Sequence, residues 1–173
     1  MLDLLLHRRS IRKFTSEPVA EADLQKILQA GLLSPSGRNK TPWEFVVVED
    51  KATLQALGKC RHPLQPFLPD TPLAIVVLGD TTATDVWVED CSIAMTIMQL
   101  EAETLGLGSC WVQVRNRMAQ GETQTANLYI KSLLSVPEHY DVLAILAIGH
   151  PDESKAPHTM DALQYEKVHR ETF

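Results

Sequence analysis

One stretch limits the possible folds more than any other. Between Asp85 and Leu105 the apolar residues do not keep to one side of a helix. A first stripe runs Trp87, Cys91, Ala94, Met98, Ala102 and Leu105, at steps of three or four. A second runs Ile93, Ile97 and Leu100, leaving Thr96, Gln99 and Glu103 as a narrow polar strip. A helix apolar around most of its girth is buried on several sides. In a chain of 173 residues it must run through the centre of the domain or be covered in part by a second subunit.

The other segments arrange themselves around it. Asp3 is placed to cap a short opening helix, Leu4 to Arg9. After Pro18, the positions Leu24, Ile27, Leu28 and Leu32 keep helical spacing from Glu21 to Leu33. Ser34-Pro35-Ser36-Gly37 breaks that helix into a loop. Trp43 to Val48 reads as a short buried strand. Asp50 caps a helix from Ala52 to Lys59. Pro63, Pro66, Pro69 and Pro72 make the stretch that follows irregular. Leu73–Leu78, Ser109–Val114 and Val142–Ile148 are further strands, and Gln124–Leu134 is a helix closed off by Pro137. Helices and strands alternate, so the class is α/β or α+β. No linker or repeat divides residues 1–173, and a length near ~150 residues argues for one domain.

Charge narrows the possible partners. The net charge of −6 is wrong for a protein that coats nucleic acid. The balance is uneven, however. Residues 1–61 hold 10 Lys/Arg against 7 Asp/Glu, and the remainder 6 against 15. An anion site in the first third is therefore compatible with an acidic protein. The N-terminus MLDLLLHRRS places its apolar residues before its charges, the reverse of a signal peptide, and the run is too short to cross a bilayer. Cys60, Cys91 and Cys110 are odd in number and form no CxxC, which argues against a disulfide framework. The expectation is a cytoplasmic protein without membrane or nucleic-acid partners. The six histidines lack metal-ligand spacing, so no metal site is expected.

Two clusters can carry chemistry. Arg8-Arg9-Ser10-Ile11-Arg12-Lys13-Phe14 gathers four cations and a hydroxyl. Guanidinium forks match phosphate or carboxylate oxygens, although on spacing alone a basic run is more often a solvated helix end. The second cluster is Ser34-Pro35-Ser36-Gly37-Arg38-Asn39-Lys40-Thr41-Pro42-Trp43. It is a loop between helix and strand in which Gly37 permits close backbone approach to a ligand. The plain alternative is an ordinary turn.

In chain order, RRSIRKF, PSGRN leading into PWEFVVV, GLGSCWV and IGHP resemble the nitroreductase family of flavoproteins, over nearly the whole chain. The resemblance implies an α+β fold, a three-layer α/β/α sandwich with a mixed sheet, and an intertwined homodimer with two FMN sites at the interface. It implies an NAD(P)H-dependent FMN oxidoreductase. Hydride would pass through flavin N5 to a small acceptor such as a nitro compound or quinone, with no protein residue acting as catalytic acid or nucleophile. Arg8, Ser10 and Arg12 would hold the phosphate and ribityl end, and Arg9 the polar edge of the ring. Pro35, Ser36, Gly37 and Asn39 would reach the FMN of the other subunit. A backbone N–H near Val112 or Gln113, on the strand Cys110–Gln113, would face N5.

Three departures from the family pattern stand out. Thr41 occupies a position where many members have Gln. The late phosphate-binding Arg or Lys has His150, Lys155 and His158 as its nearest candidates, with His158 the closest positional match. FMN affinity would then fall as that imidazole loses its proton near neutral pH. Lastly, the longer insertions that build the substrate channel in larger members are missing. An alternative within the same fold is a flavin-binding protein with little or different turnover, of flavin-destructase, dehalogenase or regulatory type. An alternative outside it is a protein that docks an acidic partner through its basic opening.

Overall fold

The computed structural model describes all residues, 1–173. Its helices are α1 (Leu2–His7), α2 (Glu21–Leu32), α3 (Lys51–Leu57), α4 (Trp87–Thr104) and α5 (Ala126–Leu134). Its strands are β1 (Trp43–Val48), β2 (Leu73–Asp80), β3 (Gly108–Gln113) and β4 (Tyr140–Gly149). They form one sheet in the order β1-β2-β4-β3, and every neighbouring pair is antiparallel. The mixed sheet implied by the resemblance reduces, within one chain, to a single parallel bridge between Ser10 and Ser109.

The sheet is covered on both faces, which explains its continuous apolar runs. On β2, Leu73, Ile75 and Val77 turn toward α2 and α4, joining Ile27, Met95 and Met98. Ala74, Val76 and Leu78 turn the other way, toward Leu54 and Leu57 of α3 and Ala126 and Ile130 of α5. This is the three-layer arrangement. The second core layer also buries Cys60 and Cys110. All three cysteines are free and buried. Desolvation pushes the Cys60 and Cys91 thiols up to about 12.

The central helix behaves as its sequence demands, with one difference. The stripe Cys91, Ala94, Met98 and Ala102 is wholly buried. Gly31 of α2 lets the two helices close together, since a Cβ there would lie 2.9 Å from the Met98 sulfur. The second stripe faces outward: Ile93 is 41% exposed, and it lines a shallow surface hollow with Ser92, Thr96 and Ile97. Gln99, expected on the polar strip, is buried instead.

The caps follow local chemistry. Asp50 accepts the Thr53 N–H at 2.8 Å and its hydroxyl at 2.7 Å, opening α3. Those bonds hold the Asp50 carboxyl below its ordinary range. Thr125 caps α5 through Leu128 N–H. Asp3 does not cap α1. The helix begins at Leu2, with Asp3 in its first turn and 3.4 Å from His7 one turn on. A carboxylate in the first turn suits the helix dipole without capping it. No helix is long and apolar enough to cross a membrane.

Candidate functional site

The basic opening is fixed to the edge of the sheet where β3 begins and β4 ends. Ile11 donates its N–H to the Ser109 carbonyl at 2.9 Å. Its buried side chain lies on Gly108, where any Cβ would come within 2.9 Å of it. Further on, Thr15 N–H reaches the His150 carbonyl and Asp152 N–H the Lys13 carbonyl, both at 2.9 Å. The segment is thus clamped on two sides, with Arg12 and Lys13 left exposed.

The loop after β4 completes the cluster. Glu153 Oε1 accepts the backbone N–H groups of Arg12 and Lys13. The Arg12 N–H bond does most to hold this carboxyl below its ordinary range, and Lys155, 3.4 Å away, adds to it. Lys155 Nζ also donates to the Ser10 carbonyl, and the Arg9 guanidinium donates to the Ala156 carbonyl. A small cavity of about 170 Å³ is lined by Arg9, Ile11, Gly108, Glu153 and Lys155.

The electrostatics of this edge are unbalanced. Burial raises the Cys110 thiol on β3, and the cations Arg12, Lys155 and Arg8 oppose that rise. Burial likewise raises Glu103, against Arg8 and His7. No arginine of the chain has a carboxylate within 4.0 Å. The Arg8 and Arg12 guanidiniums are therefore left unpaired, while the nearby Lys155 is paired with Glu153. Such a donor set suits a phosphate.

β3 is an edge strand, and its outer rim begins with the Ser109 carbonyl that Ile11 bonds. Strand alternation puts the Trp111 and Gln113 backbone on that same rim and turns Cys110 and Val112 toward β4. Of the two residues expected near a flavin N5, Gln113 is the one whose N–H lies on the open side. Its side chain accepts the Trp111 indole N–H at 2.9 Å and donates to the Arg115 carbonyl at 2.9 Å. Arg61, which sequence reasoning passed over, reaches the Gln113 carbonyl at 3.5 Å.

Pro35, Ser36, Gly37 and Asn39 form a separate cluster. Ser36 Oγ accepts Thr41 N–H at 2.9 Å. Arg38, Asn39 and Thr41 all adopt left-handed backbone, with φ of 52°, 55° and 43°. Gly37 N–H donates to Asp90 Oδ1 at 2.8 Å. Asp90 is 3% exposed, and its second oxygen is buried without a partner. This anchor lies in the first turn of α4, whereas Glu103, which feels the charge of Arg8, lies in its last turn. With a rise of 1.5 Å per residue the two clusters stand roughly 20 Å apart along the helix.

Both late histidines are tied through their backbone to the opening segment that carries the cations. His150 bonds Thr15 through its backbone, and its imidazole is 4.0 Å from Glu17. His158 is exposed and bonds the Leu6 carbonyl through its own N–H at 2.8 Å. Lys155 is the late cation beside Ser10. Glu153 and Asp90 were also missed from sequence. Asp90 left one signal: it adjoins Cys91 at the edge of the buried stripe.

The fold and the site together describe a three-layer α+β protein with a cation cluster at its sheet edge. The profile of the Nitroreductase family matches residues 5–61 and 57–150. The solved structure of an FMN-dependent nitroreductase from Clostridium difficile R20291 superposes with a TM-score of 0.96 at 46% identity, covering 100% of both chains. A relative in Archaeoglobus fulgidus, provisionally named NADH dehydrogenase/NAD(P)H nitroreductase, is 33% identical over 99% of this chain and 98% of its own length. The FMN reductase [NAD(P)H] of Bacillus subtilis is 27% identical over 98% of this chain and 72% of its own length. The chain belongs to the nitroreductase family.

Proposed function

We propose that this protein is an NAD(P)H-dependent FMN oxidoreductase that passes electrons to a small acceptor such as a nitro compound or quinone. The observation behind this reading is that the Arg8 and Arg12 guanidiniums, near Lys155, pair with no carboxylate of the chain. The donor chemistry fits the phosphate of FMN. When bound, FMN supplies the hydride chemistry.

The chain's own residues bind and orient. Arg8, Ser10, Arg12 and Lys155 would take the phosphate and ribityl end, and Arg9 the polar edge of the ring. The Gln113 N–H, on the open rim of β3, would donate toward the ring. Glu153 sets the backbone of Arg12 and Lys13, so the Arg12 guanidinium starts from a fixed base. Pro35, Ser36, Gly37 and Asn39 sit at the far end of α4 from these groups. A ligand touching both clusters would have to lie between two copies of the chain. The exposed Ile93 on α4 supports such a homodimer.

The test is direct. The purified protein should be yellow and should oxidise NADH or NADPH when a quinone or nitroaromatic is present, with ping-pong kinetics. A yellow protein that oxidises neither nucleotide would favour a flavin binder with other turnover. A colourless protein that takes up no added FMN would overturn the reading.

A further inference from the structure

The largest cavity in the molecule is not the cation cluster at the start of β3. It lies past the other end of that strand, measures about 550 Å³, and is lined by Trp87, Arg115, Arg117, Thr125, Asn127 and Asp141 among others. Small-molecule sites typically measure roughly 300–1,000 Å³.

Its lining has a definite chemistry. Arg115 and Arg117 project from the turn after β3, and neither has a carboxylate within 4.0 Å. Arg117 makes only a local bond, to the Asn116 carbonyl at 3.0 Å. The one carboxylate in the lining, Asp141, is already engaged. It accepts from Asn127 at 2.7 Å and lies 3.4 Å from Lys131 Nζ. Asn127 is fixed in turn, since its carbonyl accepts the Val142 N–H at 2.8 Å. Two cations are thus left over for a guest.

Trp87 supplies the apolar wall. Gly79 of β2 lets the indole lie directly on the sheet backbone, since a Cβ at that position would be 2.3 Å from the ring. The indole is held on one side and lines the cavity on another. An aromatic wall with two uncompensated guanidiniums is suited to a flat ring system bearing a phosphate.

We infer that this cavity binds a phosphorylated nucleotide, with the base against Trp87 and the phosphate on Arg115 and Arg117. Gln113 connects the cavity to the rim of β3, because its amide bonds the Arg115 carbonyl. The inference rests on the proposed function for the source of the nucleotide, which is either the 2′-phosphate end of NADPH or free FMN arriving as acceptor.

The probes are adenosine 2′,5′-bisphosphate and excess FMN, titrated calorimetrically into the flavin-loaded protein and into an R115Q/R117Q variant. Both proteins are first checked for equal thermal stability and flavin content. Binding of the bisphosphate that weakens roughly tenfold or more in the variant, and weakens with salt, supports the dinucleotide as guest. FMN binding beyond one per chain, lost in the variant, supports the free flavin. No binding of either probe, or equal binding by both proteins, overturns the inference. Flavin content reports separately on the proposed function, because a protein that never holds FMN can still be titrated with the bisphosphate.

Discussion

At the scale of single residues, this site separates groups that could bind from groups that set the binders in place. Arg12 illustrates both, since its backbone is gripped by Glu153 while its guanidinium is free. Arg12→Ala is expected to purify largely colourless, with FMN binding weakened by roughly 2–3 kcal/mol for a charge-assisted contact; visible absorbance of the purified variant measures it. Lys155→Met should lower FMN affinity more than His158→Asn, measured by flavin titration. The reverse ranking would restore the imidazole that the family pattern suggested. Glu153 gives a pH signature. Its carboxyl is held below the ordinary glutamate range, chiefly by Arg12 N–H, so its stabilising bonds are present above that range and vanish as acid drives the pH through the depressed value. Glu153→Gln should therefore lower the melting temperature near neutrality and lose less than the parent on acidification. Thermal melts across the acid range would test this.

At the scale of elements, the sequence was most legible where periodicity and burial agree. Strands β1 and β2 and helices α2 and α5 fall within a few residues of where their apolar spacing puts them. Legibility failed where a tertiary partner decides. Gln99 reads as part of a polar strip yet is buried, and the buried Asp90 anchors Gly37, because neighbouring elements supply what helical spacing cannot show. Glu153 was obscure for the same reason, and Lys155 stood only as one of three candidates. Their importance comes from a loop folding back on residues about 145 positions earlier. Close packing between elements also makes a firm prediction at Gly79. Gly79→Ala would drive a methyl into the Trp87 ring and should destabilise by about 1–3 kcal/mol, read from denaturant melts.

At the scale of the whole molecule, the proposed function joins the two clusters at opposite ends of α4 into one site only when two copies of the chain meet. The solution mass should be about twice the 19.3 kDa chain mass, by sedimentation or light scattering. Ile97→Glu, on the outer face of α4, should shift that mass toward the monomer and lower flavin content with it. A monomeric parent holding its flavin would refute the two-copy arrangement.

The sealed thiols have a chemical consequence for an enzyme of this kind. A sulfhydryl that burial holds in its neutral form, as it does Cys60 and Cys91, is a poor nucleophile at neutral pH. Quinones alkylate exposed sulfur readily. Folding thus keeps the three cysteines out of contact with electrophiles in solution, the proposed acceptors included.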